Sequence, residues 1–208
     1  SLRRQRQNVY KRQDYLQKKF SLPIIGVIDP GVQLAISRTK SQSIGVIGTH
    51  ATIQSNAYGK KLKSIRPKIN IFNQSCPLFV PLVEEGLTKG PITKLIAESY
   101  LSHFKNTDVD TLILGCTHYP ILTEVIKDVV GKNISLVDSG KATAEVVMDV
   151  LKKNGILSEE ANGGVSSFVT DSKQTFQKVI TKALAPEINI SIKSINRIDL
   201  SLIHISEP

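Results

Sequence analysis

Only two cysteines occur in the 208 residues, Cys76 and Cys116, and neither sits in a Cys-x-x-Cys or Cys/His spacing. That absence speaks against a zinc site and against a disulfide framework, so both thiols are read as free and no metal is expected. No uninterrupted apolar run approaches the roughly 20 residues that span a bilayer. Nor does the charged start lead into the apolar segment of a signal peptide. The expectation is a cytoplasmic protein with no membrane partner. Short internal repeats and low-complexity tracts are missing as well, the most loop-like stretch being Glu159 to Ser167. With 40% hydrophobic residues the chain can bury a substantial core, as one large domain or two small ones.

The charge balance is +9, but much of it lies at the ends. Val9 to Gln13 can be encoded by GTG TAT AAG AGA CAG, whose reverse complement encodes Leu-Ser-Leu-Ile-His, the residues from Leu200 to His204. Two such peptides near opposite ends resemble translated sequencing adapters. Residues 1–13 and 200–208 are therefore expected to be non-native and are set aside, as expression scars would be. Finding these codons in uninterrupted genomic DNA would overturn that expectation. The two ends hold Arg3, Arg4, Arg6, Lys11 and Arg12 on one side and Glu207 on the other, so +9 falls to +5 for the remainder. Lys60, Lys61, Lys63 and Lys68 read as a solvated face, and nucleic acid is not an expected partner.

Along the chain, strand-like and helix-like segments alternate. Ile24 to Ile28 is an apolar run, Gly31 to Arg38 reads as helix, Ser43 to Ile47 as strand, and His50 to about Leu62 as helix. Ile69 to Phe72 and Leu78 to Val83 read as short extended segments. Pro91 suits the first turn of a helix whose apolar face is Ile92, Leu95, Ile96 and Tyr100. Thr111 to Leu114 is an apolar strand closed by Gly115, and Leu122, Val125, Ile126, Val129 and Val130 mark the helix after Pro120. Ile134 to Val137, Ala142 to Lys153, Ser166 to Val169 and Thr175 to Leu184 continue the pattern. Such alternation predicts an α/β fold with an open, mainly parallel sheet.

Cys116 is the outstanding candidate for chemistry. It stands where an apolar strand stops and a helix begins, with Thr117 and His118 following. Open α/β sheets place ligands at the carboxyl ends of their strands. A helix N-terminus can lower a thiol pKa from about 8.5 to roughly 3.5–7.5, which predicts a thiolate at neutral pH. The alternative is a buried thiol serving as a small hydrophobe.

Three ordered blocks carry a family resemblance: Gly48-Thr49-His50-Ala51-Thr52-Ile53 with Ser55 and Tyr58, Cys76 to Glu84, and Leu114 to Leu122. From about Leu16 to Asp199 the chain resembles the glutamate racemases of the aspartate/glutamate racemase superfamily. The resemblance implies cofactor-independent interconversion of L- and D-glutamate, supplying D-glutamate for peptidoglycan. It also implies two similar α/β domains, the active site in the cleft between them, and a homodimer at full length. Residues 28–137 would be the complete second domain, whereas 14–27 and 138–199 would be a remnant of the first.

In this family two cysteines face each other across the substrate Cα, and Cys116 matches the second of them. Thr117 and His118 match the substrate-binding pair, His118 also tuning Cys116. Glu84 matches an acidic residue that assists on the Cys116 side, with Glu85 next door leaving its register open. Thr49 and Thr52 are expected to direct hydroxyl or N–H groups towards a substrate carboxylate, although Thr49 also suits a helix cap. Cys76 matches a position without a catalytic role. The Asp-Ser-Gly and Asn-Thr blocks that accompany the first catalytic cysteine are not in place, so the chain is expected to hold half a site and to be inactive alone. Asp138-Ser139-Gly140 reads instead as the return into the first domain. Aspartate racemase is the nearest alternative, His118 favouring glutamate. A non-catalytic binding fragment and, more weakly, a cysteine hydrolase stand behind it.

Overall fold

Ser43-Ile44-Gly45-Val46-Ile47-Gly48 contains no charged side chain and is buried throughout, which is what a strand covered on both faces requires. It is β1, at the centre of a four-stranded sheet in a computed structural model that describes residues 9–158, 165–169, 174, 176, 177, 180 and 190–194. The other strands are β2 (Asn70–Ser75), β3 (Thr111–Leu114) and β4 (Ser135–Asp138), in the order β2-β1-β3-β4, and every neighbouring pair is parallel. The fold class is α/β with a parallel sheet, as the alternation predicts.

Parallel strands need crossovers, and the helices supply them. In chain order they are α1 (Val9–Lys19), α2 (Ile28–Arg38), α3 (His50–Ser55), α4 (Ala57–Ile65), α5 (Phe79–Glu84), α6 (Pro91–Leu101), α7 (Thr123–Val130) and α8 (Ser139–Lys153). Short 3₁₀ turns at Ser102–Asn106 and Tyr119–Leu122 lead into β3 and α7 respectively. Alternate residues of the sheet feed two cores. Ile47, Leu112 and Leu114 pack with Phe79, Phe104, Tyr119 and Ile126 on one face. Ile44, Val46 and Ile113 pack with Val32, Tyr58 and Leu62 on the other. Phe79 anchors the first core, with its ring edge-to-face against Tyr100 at 5.5 Å and against Tyr119 at 5.2 Å.

Residues within Ser1–Val83 and Leu87–Leu157 make up one body, which holds this sheet. Residues of Glu84–Gly86 and Ser158–Pro208 make up a second, in which β5 (Val165–Val169) pairs in parallel with β6 (Ile190–Ser194). No helix among the described residues is long and apolar enough to cross a membrane.

Four sequence-based expectations need correction. Ile24 and Ile25 join no strand, and the helix begins at Ile28; Val27 and Leu22 are exposed, so this run does not line a sheet. The helix expected from His50 to Leu62 is two helices, because Asn56 adopts the left-handed conformation (φ 50°) and ends the first. Leu78 to Val83 is mostly helix rather than extended: Phe79, Leu82 and Val83 are buried at positions i, i+3 and i+4. In α6, capped by Gly90 with Pro91 in the first turn, the buried side is Thr93, Ala97 and Leu101, whereas Ile92 and Leu95 are exposed. Small residues there let the helix approach the first core closely. The helix expected over 175–184 lies outside the described residues except at 176, 177 and 180, which are helical. Residues 1–8 and 200–208 also lie outside them.

Candidate active site

The chain passes from β1 to β2 on one side, then crosses back to β3 on the other side of β1. Connections therefore diverge between β1 and β3, and a crevice at a sheet's carboxyl edge forms at such a switch point. The pairing Ile47↔Leu114 puts Gly48-Thr49 and Gly115-Cys116 side by side there, with β4 ending at Asp138 next to Leu114. Cys116 and the Thr49–Thr52 segment, singled out from the sequence, are brought to this one edge.

Gly115 is required by close approach. Its N–H donates to the Ile47 carbonyl at 2.7 Å. A Cβ added to it would lie 2.8 Å from that oxygen, 3.1 Å from Tyr58 Cε2 and 3.4 Å from Thr52 Cγ2. Nothing larger than hydrogen fits. Cys116 then leaves the sheet half-buried, and its Sγ lies 3.9 Å from His118 Nδ1. Thr117 Oγ1 lies 3.5 Å from the same nitrogen. Tyr119 turns back inward, where its hydroxyl donates to the Cys76 carbonyl at 2.8 Å and its N–H to the Cys116 carbonyl at 3.2 Å. The loop is thus pinned immediately before and after Cys116 to Tyr119, leaving Thr117 exposed at its crest.

Thr49 is the N-cap of α3, its hydroxyl accepting from the Thr52 N–H at 3.3 Å and lying 3.1 Å from the Thr52 hydroxyl. The capping reading of Thr49 and its place at the edge are both met by this geometry. Beside it His50 Nδ1 lies 2.8 Å from Ser75 Oγ, at the end of β2. Glu84 is the last residue of α5 and half-buried, while Glu85 is exposed.

The two thiols differ in setting. Cys76 is fully buried, its Sγ directed at the Gln74 carbonyl 3.8 Å away, and burial pushes its thiol up to about 12. Cys116 is also raised above the ordinary thiol value, chiefly by burial, against the lowering effect of the His118 and Thr117 N–H groups and the Thr117 hydroxyl. This reverses the direction expected from a helix N-terminus. A 3₁₀ turn separates Cys116 from α7, so the longer helix does not point its dipole at the sulfur. The thiol is the resting form at neutral pH, and a proton acceptor or a bound cation must favour the thiolate.

Sequence reasoning gave no role to two residues at this edge. Tyr58, in α4, lies over Gly115, and its hydroxyl is 3.1 Å from Ser139 Oγ at the start of α8. They are 81 positions apart, and no local pattern links them.

Residues 13–147 match the family model described as Asp/Glu/hydantoin racemase. The chain is 42% identical over 174 residues to a glutamate racemase of Geobacter metallireducens, covering 83% of this chain and 64% of that one. Among solved structures, a glutamate racemase isoform from Bacillus anthracis superposes with a TM-score of 0.79 at 36% identity, over 88% of this chain and 68% of that one. A Francisella tularensis glutamate racemase, solved in complex with D-glutamate, gives a TM-score of 0.77 at 33% identity, over 87% and 66%. The chain spans 62–66% of the length of the first curated relatives it matches. The resemblance carried by the three sequence blocks is borne out: this chain belongs to the Asp/Glu/hydantoin racemase family.

Proposed function

We propose that this chain carries the Cys116 half of a glutamate racemase, a cofactor-independent isomerase that interconverts L- and D-glutamate. The observation that carries the reading is the placement of Cys116 at the β1/β3 switch point, with His118 within reach of its sulfur.

Inverting an α-carbon without a cofactor requires a base on one face and an acid on the other, because one group cannot both remove and deliver a proton from one side. Cys116 fits one role. In the direction in which it acts as base, the α-proton moves to Sγ while the electron pair stays on the α-carbon, whose carboxylate shares it. In the reverse direction the Cys116 thiol delivers the proton. Because burial raises its pKa, the group rests as the thiol, the form that delivers a proton, and His118 is placed to accept or return the proton when the thiolate is needed. Thr117, Thr49 and Thr52 present hydroxyls suited to a substrate carboxylate. Glu84 is proposed to orient His118 in the complete protein.

Cys76 is unsuited to the opposite face, being sealed in the core with a pKa of about 12. We infer that the opposing thiol belongs to a segment of the complete protein outside these 208 residues, and that this chain alone is inactive. On that division 28–137 is one domain, and 14–27 with 138–199 is part of the other. Family resemblance further suggests a cytoplasmic homodimer that supplies D-glutamate to peptidoglycan; light scattering of the complete protein tests the dimer.

The test follows the circular-dichroism signal of L-glutamate with a complete protein built around this chain, beside its Cys116→Ala variant. The expected result is loss of optical activity that the variant slows at least about 10²-fold. A folded complete protein that racemises aspartate but leaves glutamate unchanged would move the assignment to aspartate racemase.

A further inference from the structure

Tyr58 is 5% exposed and joins the ends of β3 and β4. Its ring edge is 3.1 Å from the point where a Gly115 side chain would begin, so it lies against the peptide that carries Cys116. Its hydroxyl is 3.1 Å from Ser139 Oγ, also buried, at the junction of β4 and α8. Ser139 is packed in turn against α2, where Gly31 leaves no room for a Cβ beside Ser139 Oγ. Burial pushes the phenol up against the lowering effect of the Ser139 hydrogen bond, with smaller raising effects from Cys116 and Asp138, so it stays protonated and keeps its hydrogen to share with Ser139.

We propose that Tyr58 is a positioning residue for Cys116, its ring seating the Gly115–Cys116 peptide and so holding the thiol in its half-buried setting, and its hydroxyl fixing the ring through Ser139. The proposal deepens the racemase reading and rests on Cys116 being the reacting thiol. Ring and hydroxyl have separable duties. Tyr58→Phe keeps the contact with Gly115 and loses only the bond to Ser139. Tyr58→Leu removes the planar ring on which the Gly115–Cys116 peptide is seated, so that the peptide shifts and Cys116 loses burial.

The groups that set the ionisation of Cys116 are His118 and Thr117 on its own loop, and Cys116 in turn acts on Tyr58 from α4 and on Tyr119 from the following turn. Asp138 at the end of β4 acts on Tyr58. Since burial is the leading cause of the raised thiol, opening the site lowers it.

The test is the pH dependence of iodoacetamide alkylation of Cys116 in this chain, read by mass spectrometry of the Cys116 peptide. The expected midpoint in Tyr58→Leu lies lower than in the parent by roughly half a pH unit or more, whereas Tyr58→Phe stays near the parent value. An unchanged midpoint in a folded Tyr58→Leu chain, with only its melting temperature reduced, makes Tyr58 an ordinary core residue and overturns the proposal. So does a shift in Tyr58→Phe as large as that in Tyr58→Leu. If Tyr58→Leu does not fold, Tyr58→Met removes the ring at similar volume and is read in the same way. Alkylation needs no turnover, so a failure of the racemase reading with glutamate is distinguishable from a failure here.

Discussion

The two ends of the central sheet are built on opposite plans. At the amino end, where strands begin, the Asp110 carboxylate accepts from the Thr39 and Thr111 hydroxyls at 2.7 and 3.0 Å and from the Lys40 and Ser41 N–H groups at 2.6 and 2.7 Å. Burial acts to raise its pKa, but these four donors win and hold it near 2. At the carboxyl end the contacts to the ionisable group are longer, the Cys116 sulfur lying 3.9 Å from His118, and burial wins, raising the thiol. One end spends its polar groups on locking loops together. The other leaves a thiol, a histidine and threonine hydroxyls in reach of something not part of the fold. A saturated ion is the mark of structure, whereas a half-buried group whose charged form the fold disfavours is the mark of a site.

The contrast can be broken at several points, in descending order of effect. In the complete protein Cys116→Ala is expected to cut racemisation by at least about 10²-fold with little change in melting temperature. Asp110→Asn should do the reverse, preserving chemistry and lowering stability. Equal kinetic loss in both variants would erase the distinction between the ends. Between them lies the packing that both ends share: Phe79→Ala removes the ring held by Tyr100 and Tyr119 and is expected to cost about 3–5 kcal/mol in chemical denaturation. Asp110→Ala, on a partly exposed carboxylate, should cost on the order of 2 kcal/mol.

The pH dependences run in opposite senses. Asp110 has a folded pKa below its unfolded one, so the unfolded chain binds more protons in the acid range. Its contribution is present above about pH 4 and is lost as the pH falls towards about 2. Cys76 has a folded pKa above its unfolded one, so the unfolded chain loses its proton first, and stability declines as the pH rises from about 8.5 towards about 12. Urea melts across both ranges check the two slopes; in Asp110→Asn the acid slope should flatten. The smallest expected effect is a difference of labelling: in the folded chain iodoacetamide should modify Cys116 well before Cys76, and preferential modification of Cys76 would contradict the sealed setting of that thiol.

Much of this was legible in the sequence, for a physical reason. β1 and β3 are covered on both faces, so they read as short apolar runs, and in α7 and the turn before it each of Leu122, Val125, Ile126, Val129 and Val130 is buried as its spacing predicts. Leu78 to Val83 misled because a six-residue apolar run fits a strand and a helical turn equally well; only the packing of Phe79 against Tyr119 decides it. α6 misled because Ile92 and Leu95 face outward while Thr93, Ala97 and Leu101 face the core. At the site, Cys116, Thr117 and His118 are contiguous and stood out. The direction of the thiol shift did not, since it depends on burial against a core assembled from distant segments of the chain. Contacts such as Tyr58 with Ser139 leave no local trace.

The most direct test of the central claim is incorporation of deuterium at the α-carbon of glutamate in D₂O, followed by proton NMR with the complete protein and its Cys116→Ala variant. The account predicts α-proton exchange that accompanies racemisation in the parent and falls at least about 10²-fold in the variant. Exchange at the parental rate without Cys116 would show that another group moves the proton, and the thiol at the carboxyl edge would then have no part in the chemistry.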